Sequence, residues 1–125
     1  MARRILVVED DEKSRRLLTD VLRYHGYEVA AVATGEEGLR DALSATPDAA
    51  LLDIQLPGIS GFEVLAGLRA AGNSGRLPVV AVTASVMDQD RKKILAAGFD
   101  AYVAKPVNIR ELLATLDALL TRVNP

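Results

Sequence analysis

The chain has 125 residues and a mass of 13.4 kDa, with 50% hydrophobic and 26% charged residues. That is enough for one domain around one core and too little for two. Its 15 Lys and Arg against 17 Asp and Glu give a net charge of −2, without the basic stripe of a nucleic-acid or membrane-surface protein. With no Cys there are no disulfides, thiolate metal sites or Cys nucleophile, and the apolar run Ile5–Val8 is too short for a signal peptide or membrane span. A cytoplasmic domain is expected.

In chain order, Ile5–Val8 reads as a first strand, followed by a helix capped by Asp11 with an apolar stripe of Leu17, Leu18, Val21 and Leu22. Gly26, placed to end that helix, leads into a second strand, Glu28–Val32. Thr34 with Glu37 opens a second helix, Ala49–Leu52 is a third strand, and Ser60 with Glu63 opens a third helix. Val79–Val82 is a fourth strand, and Ser85 with Asp88 opens a fourth helix. The charged run Asp88–Lys93 there reads as a solvated face that thins the apolar stripe, so this helix is expected to be loosely held. Gly98 precedes a fifth strand, Ala101–Ala104; Asn108 with Glu111 then opens a helix striped by Ile109, Leu112, Leu113, Leu116 and Leu120.

Five strand–helix repeats predict an α/β, doubly wound fold with helices on both faces of a parallel sheet, joined by right-handed crossovers. Short β-branched strands suit burial on both faces. Ligands in such sheets bind beyond the carboxyl ends of the strands. There the first strand delivers Glu9, Asp10 and Asp11, the third Asp53, the fourth Thr83 and the fifth Lys105. The second strand delivers no polar group, which marks it as an outer strand.

Clustered carboxylates repel, and Glu9, Asp10 and Asp53 together need compensating charge. Lys105 supplies one positive charge, and a divalent cation would supply two more. A few oxygen ligands with solvent completing the shell suit Mg²⁺, with Mn²⁺ as a substitute. A carboxylate beside such a cation, a Lys and a Thr hydroxyl is equipped to hold a phosphoryl group, with Asp53 as the nucleophile that becomes an acyl phosphate.

Four segments then stand together: Ile-Leu-Val-Val-Glu-Asp-Asp at 5–11, Leu-Leu-Asp-Ile-Gln-Leu-Pro-Gly at 51–58, Val-Val-Ala-Val-Thr-Ala at 79–84 and Ala-Tyr-Val-Ala-Lys-Pro at 101–106. In this order and spacing the chain resembles the receiver domain of two-component response regulators, the CheY-like family. The run from Asp53 to Gly61 is similar to single-domain regulators of the DivK type. The resemblance implies a flavodoxin-like (βα)5 sandwich of strand order 2-1-3-4-5. It also implies one receiver domain over residues 1–125, without an output domain.

It further implies that Asp53 accepts phosphate from a phosphohistidine on a histidine kinase or histidine phosphotransferase. Asp10, Asp53 and the backbone carbonyl of Gln55 would bind Mg²⁺, and Glu9 would act through water. Thr83 would swing to the phosphoryl oxygen, Lys105 would pair with it, and Tyr102 would be the switch aromatic that turns inward. Lys105–Pro106 would be a cis peptide. Output would pass to a partner protein through the fourth helix, fifth strand and fifth helix, from a monomer or a weak phosphorylation-dependent dimer. For kinase docking the candidates are Ser14, Leu17, Leu18 and Pro106. His25, far from the acids, is read as structural.

Glu9 stands where the family more commonly has Asp, and Gln55 occupies a position that varies and tunes phosphoryl lifetime. Three rivals fit less well. A haloacid-dehalogenase-type phosphatase needs a second Asp where Gln55 stands. A flavodoxin-like FMN protein needs a hydroxyl- and glycine-rich loop where the three acids stand. A pseudo-receiver should have lost Asp53, Lys105 or an acid.

Overall fold

A computed structural model of the chain describes residues 2–70, 77–84 and 88–123. The elements are β1 (Arg4–Val8), α1 (Glu12–Tyr24), β2 (Glu28–Val32), α2 (Gly35–Ser44), β3 (Ala49–Asp53), α3 (Gly61–Ala70), β4 (Val79–Thr83), α4 (Asp88–Ala97), β5 (Ala101–Ala104) and α5 (Ile109–Val123). All the strand pairings are parallel, in the order β2-β1-β3-β4-β5. This is the order that the family resemblance implied.

Successive strand side chains point to opposite faces, so each strand feeds two cores. Ile5, Val7, Leu51, Val80 and Val82 pack with Leu18 and Leu22 of α1 and with Leu112 and Leu116 of α5. Leu6, Val8, Leu52 and Ala81 pack with Ala42 of α2, with Val64, Leu65 and Leu68 of α3, and with Ile94 of α4. Residues of β1, β3 and β4 are therefore buried on both faces. β2 departs from the expected two-faced burial: its residues are half-buried or exposed because it lies at the sheet edge.

The helix caps follow the sequence signals. Asp11 accepts from the Ser14 N–H at 2.9 Å, Thr34 from Glu37 at 3.1 Å, Ser60 from Glu63 at 3.3 Å and Asn108 from Glu111 at 3.0 Å. Each satisfies an amide that the first helical turn cannot. The Ser85–Asp88 pair lies outside the described residues. Gly26 and Gly98 take φ values of +93° and +110°, the left-handed region in which only glycine is unstrained.

Two strands run one residue further than the apolar runs did. Asp53 pairs in register with Val82, and Thr83 with Ala104, so both polar residues are the last rungs of the ladder. Their backbones are thereby fixed by the sheet. At the opposite edge Asp100 accepts from the Val79 N–H at 2.8 Å and from Arg69 at 2.9 Å, which pins the start of β4.

Candidate functional site

At the carboxyl edge of the sheet β1 ends beside Glu9, β3 in Asp53 and β4 in Thr83, while Lys105 follows β5. Glu9, Asp53 and Thr83 are buried and Asp10 is exposed. Glu9, Asp10 and Asp53 each present a carboxylate oxygen, and these lie within 4.8 Å of one another. Lys105 Nζ donates to Asp53 Oδ2 at 2.9 Å, and the Gln55 N–H donates to Asp53 Oδ1 at 2.9 Å. Both oxygens of Asp53 are thus held.

Lys105 Nζ also lies 2.7 Å from Glu9 Oε1, but no donor meets that oxygen at hydrogen-bonding angles. Glu9 Oε2 accepts from the Asp11 N–H at 3.1 Å. Burial pushes the Glu9 carboxyl up to about 7; the Lys105 ammonium pulls the other way without cancelling it. Burial would lower Lys105, yet the carboxylates of Glu9 and Asp53 beside it outweigh that and raise it. With one ammonium among three carboxylates, the site carries excess negative charge.

Local sequence explains how the backbone reaches this shape. The Gly61 N–H donates to the Ile54 carbonyl at 3.1 Å, closing the loop after β3. A Cβ on Gly61 would stand 2.5 Å from the Asp53 carbonyl oxygen and 2.8 Å from Ile54 Cα, so only glycine lets α3 begin here. Arg15 on α1 donates to the Glu9 and Asp10 carbonyls at 2.9 and 3.4 Å, fixing the turn that carries both acids. The sequence did not mark Arg15, and it marked Gly61 only as the end of the DivK-like run from Asp53, one residue past a capping Ser.

Residues 5–117 match the family described as the response regulator receiver domain. The chain belongs to that family. It is 36% identical over 120 residues to the polar-differentiation response regulator DivK of Brucella ovis, covering 96% of this chain and 98% of that protein. Among solved structures, the receiver domain of a sensor histidine kinase from Pseudomonas aeruginosa is 35% identical, with a TM-score of 0.90 over 97% of this chain and 99% of that one. That domain was crystallised with a magnesium ion coordinated in its active site cleft. The chemotaxis protein CheY4 of Vibrio cholerae is 28% identical, with a TM-score of 0.90 over 95% of this chain and 99% of that one. The family places this receiver in two-component signalling, as a DivK-like, CheY-like regulator.

The receiver's other marked residues fall as follows. Thr83 lines a cavity with Gln55, next to the acids. Tyr102 is half-buried against the core under α4, with Arg91 Cζ 5.6 Å from its ring centroid. The Lys105–Pro106 peptide is cis, as the resemblance implied. Ser14, Leu17, Leu18, Pro106 and Val107 line an apolar groove of ≈ 140 Å³ together with Glu9 and Lys105. Leu17 is 53% exposed there, whereas Leu18 is 3% exposed and faces the core. Leu18 is thus a core residue that also lines the groove, and Leu17, one helical step of 100° away, is the one exposed there. His25 caps α1, with Nδ1 3.0 Å from the Val21 carbonyl, well away from the acids.

The donor set suits a hard divalent cation. Its oxygens converge, one buried Glu9 oxygen lacks a hydrogen bond, and the excess charge is negative. No described helix is long and apolar enough to cross a membrane.

Proposed function

We propose that this receiver is a Mg²⁺-dependent phosphoacceptor switch in which Asp53 takes a phosphoryl group from a phosphohistidine. The observation that carries the proposal is the setting of Asp53: a buried carboxylate fixed by Lys105 and the Gln55 N–H, inside a cluster with Glu9 and Asp10. An oxygen of Asp53 forms the new O–P bond as the P–N bond of the donor breaks, and the imidazole leaves with the electron pair. Asp10, Asp53 and the Gln55 carbonyl would hold the cation, and Glu9 would act on it through water. Bound there, Mg²⁺, with Mn²⁺ as a substitute, neutralises charge that builds on the phosphoryl oxygens.

Lys105 is already at Asp53 and pairs with the phosphoryl oxygen once it arrives. Thr83 donates its hydroxyl to another oxygen, and Tyr102 turns toward the space that Thr83 leaves. The change spreads to α4, β5 and α5, through which a partner protein in the cytoplasm reads it. The histidine kinase or phosphotransferase docks along the groove of Ser14, Leu17 and Pro106, which Glu9 and Lys105 also line. Turnover of the acyl phosphate is slow and serves signalling. The domain works as a monomer or a weak phosphorylation-dependent dimer.

A phosphohistidine-bearing phosphotransferase domain as donor tests this reading. Wild type should take up label while Asp53→Asn does not. Equal labelling of the two would sink the assignment of Asp53.

A further inference from the structure

The carboxyl edge of the sheet opens in two directions, one apolar and one mixed. Toward α1 lies the apolar groove of Leu17, Pro106 and Val107. Toward α3 and α4 lies a cavity of ≈ 240 Å³ of mixed character, with Gln55, Thr83, Asp90 and Lys93 among the apolar Ile54, Phe62 and Ile94. Two of its walls belong to the site itself. Thr83 ends β4, and the Gln55 N–H is bonded to Asp53 Oδ1.

Lys93 is outside the residues assigned to the reaction. Its ammonium sits 5.3 Å from the centroid of the Phe62 ring, and Phe62 in turn meets the buried Phe99 edge to face at 5.7 Å. An ammonium held on an aromatic face gives up freedom but keeps its charge available to an anion on its other side. A cation lining a cavity beside the site raises the local concentration of small anions. The volume suits a ligand of a few heavy atoms and is far too small for a folded partner.

We propose that Lys93 is a specificity-determining residue for small anionic phosphoryl donors of the acyl phosphate class, drawing them into the cavity beside Gln55 and Thr83. The proposal rests on the reading of Asp53 as phosphoacceptor. In the step itself an Asp53 oxygen forms the O–P bond, the acyl O–P bond breaks, and the carboxylate leaves with the electron pair. No proton moves, and Lys93 stays an ammonium that acts through its field. Asp90 lines the same cavity with the opposite charge, so the two side chains oppose each other on the incoming anion. A phosphohistidine carried by a protein arrives across the apolar groove and does not use Lys93.

The test is the initial rate of Asp53 phosphorylation with Mg²⁺ for wild type, Lys93→Met, Lys93→Arg and Asp90→Asn. The donors are acetyl phosphate, a dianion near neutral pH, and phosphoramidate, which carries a single net negative charge. At low salt Lys93→Met should slow acetyl phosphate about threefold to fivefold and phosphoramidate less than about twofold. Lys93→Arg should restore the rate and Asp90→Asn should raise it, and all these differences should shrink as salt is added. Variants that slow both donors equally, or change neither while wild type is labelled, overturn the assignment of Lys93 alone. Wild type that accepts from neither donor overturns the phosphoacceptor reading, and this proposal with it.

Discussion

Lys105 Nζ stands 2.9 Å from Asp53 Oδ2, joining an ammonium that follows β5 to a carboxylate that ends β3, 52 positions earlier in the chain. The same ammonium lies against Glu9, so one cation restrains two buried carboxylates. Lys105→Met leaves both uncompensated. Urea unfolding without Mg²⁺ should show a loss of about 2 kcal/mol near neutral pH. The loss should be smaller at pH 5, where Glu9 takes up a proton and part of the repulsion disappears.

Glu9 gives the pH dependence its sign. Its carboxyl titrates near 7 in the folded state against 4.5 ordinarily, so between those values the folded protein holds the extra proton. The stability that Glu9 contributes is therefore full below about pH 4.5 and is lost as pH rises through 7. The fall corresponds to an upper bound on the order of 3 kcal/mol. Melting temperatures from pH 5 to 8 should decline in EDTA, and Glu9→Gln should flatten the decline. Saturating Mg²⁺ should raise the curve most at the alkaline end, where the cation faces the ionised cluster.

Gly61→Ala forces a Cβ to within 2.5 Å of the Asp53 carbonyl oxygen, a contact with backbone that no rotamer change relieves. The loop after β3 must shift, at a cost of about 1–3 kcal/mol. Since that loop carries the Gln55 N–H bonded to Asp53, phosphorylation should slow as well. Chemical denaturation together with the rate of labelling by acetyl phosphate checks both parts.

Leu17 and Leu18 separate docking from stability. Leu17→Glu alters an exposed residue of the groove and should change stability by no more than about 0.5 kcal/mol. It should slow transfer from a phosphohistidine protein at least tenfold, and acetyl phosphate labelling only by the few-fold effect of its charge, which salt should remove. Leu18→Ala empties a core position and should cost about 2–5 kcal/mol. Parallel donor assays and unfolding curves on the two variants distinguish these effects.

Much of the site was legible because its chemistry sits at strand ends. A polar residue that closes a buried apolar run, as Asp53 and Thr83 do, has one place to go in a parallel sheet. Alternation fixed the layers, and the caps at Asp11, Thr34, Ser60 and Asn108 marked helix starts by a local bond that needs no tertiary context. What stayed hidden depends on neighbours distant in sequence or on the turn of a helix. Arg15 under the Glu9 carbonyl, and the exposed Lys93 reaching over Phe62, are tertiary placements. Leu17 and Leu18 belong to the same apolar stripe, so periodicity could not say which one faces out. The edge position of β2 was legible from its lack of a polar end residue, but its exposure followed only from the strand order.

The most direct measurement is the intact mass of the protein after incubation with acetyl phosphate, with Mg²⁺ and with excess EDTA. A gain of one phosphoryl group that requires Mg²⁺, maps to Asp53 and is absent in Asp53→Asn is the predicted result. No gain in the presence of Mg²⁺ that demonstrably binds, or an equal gain in Asp53→Asn, would contradict the account.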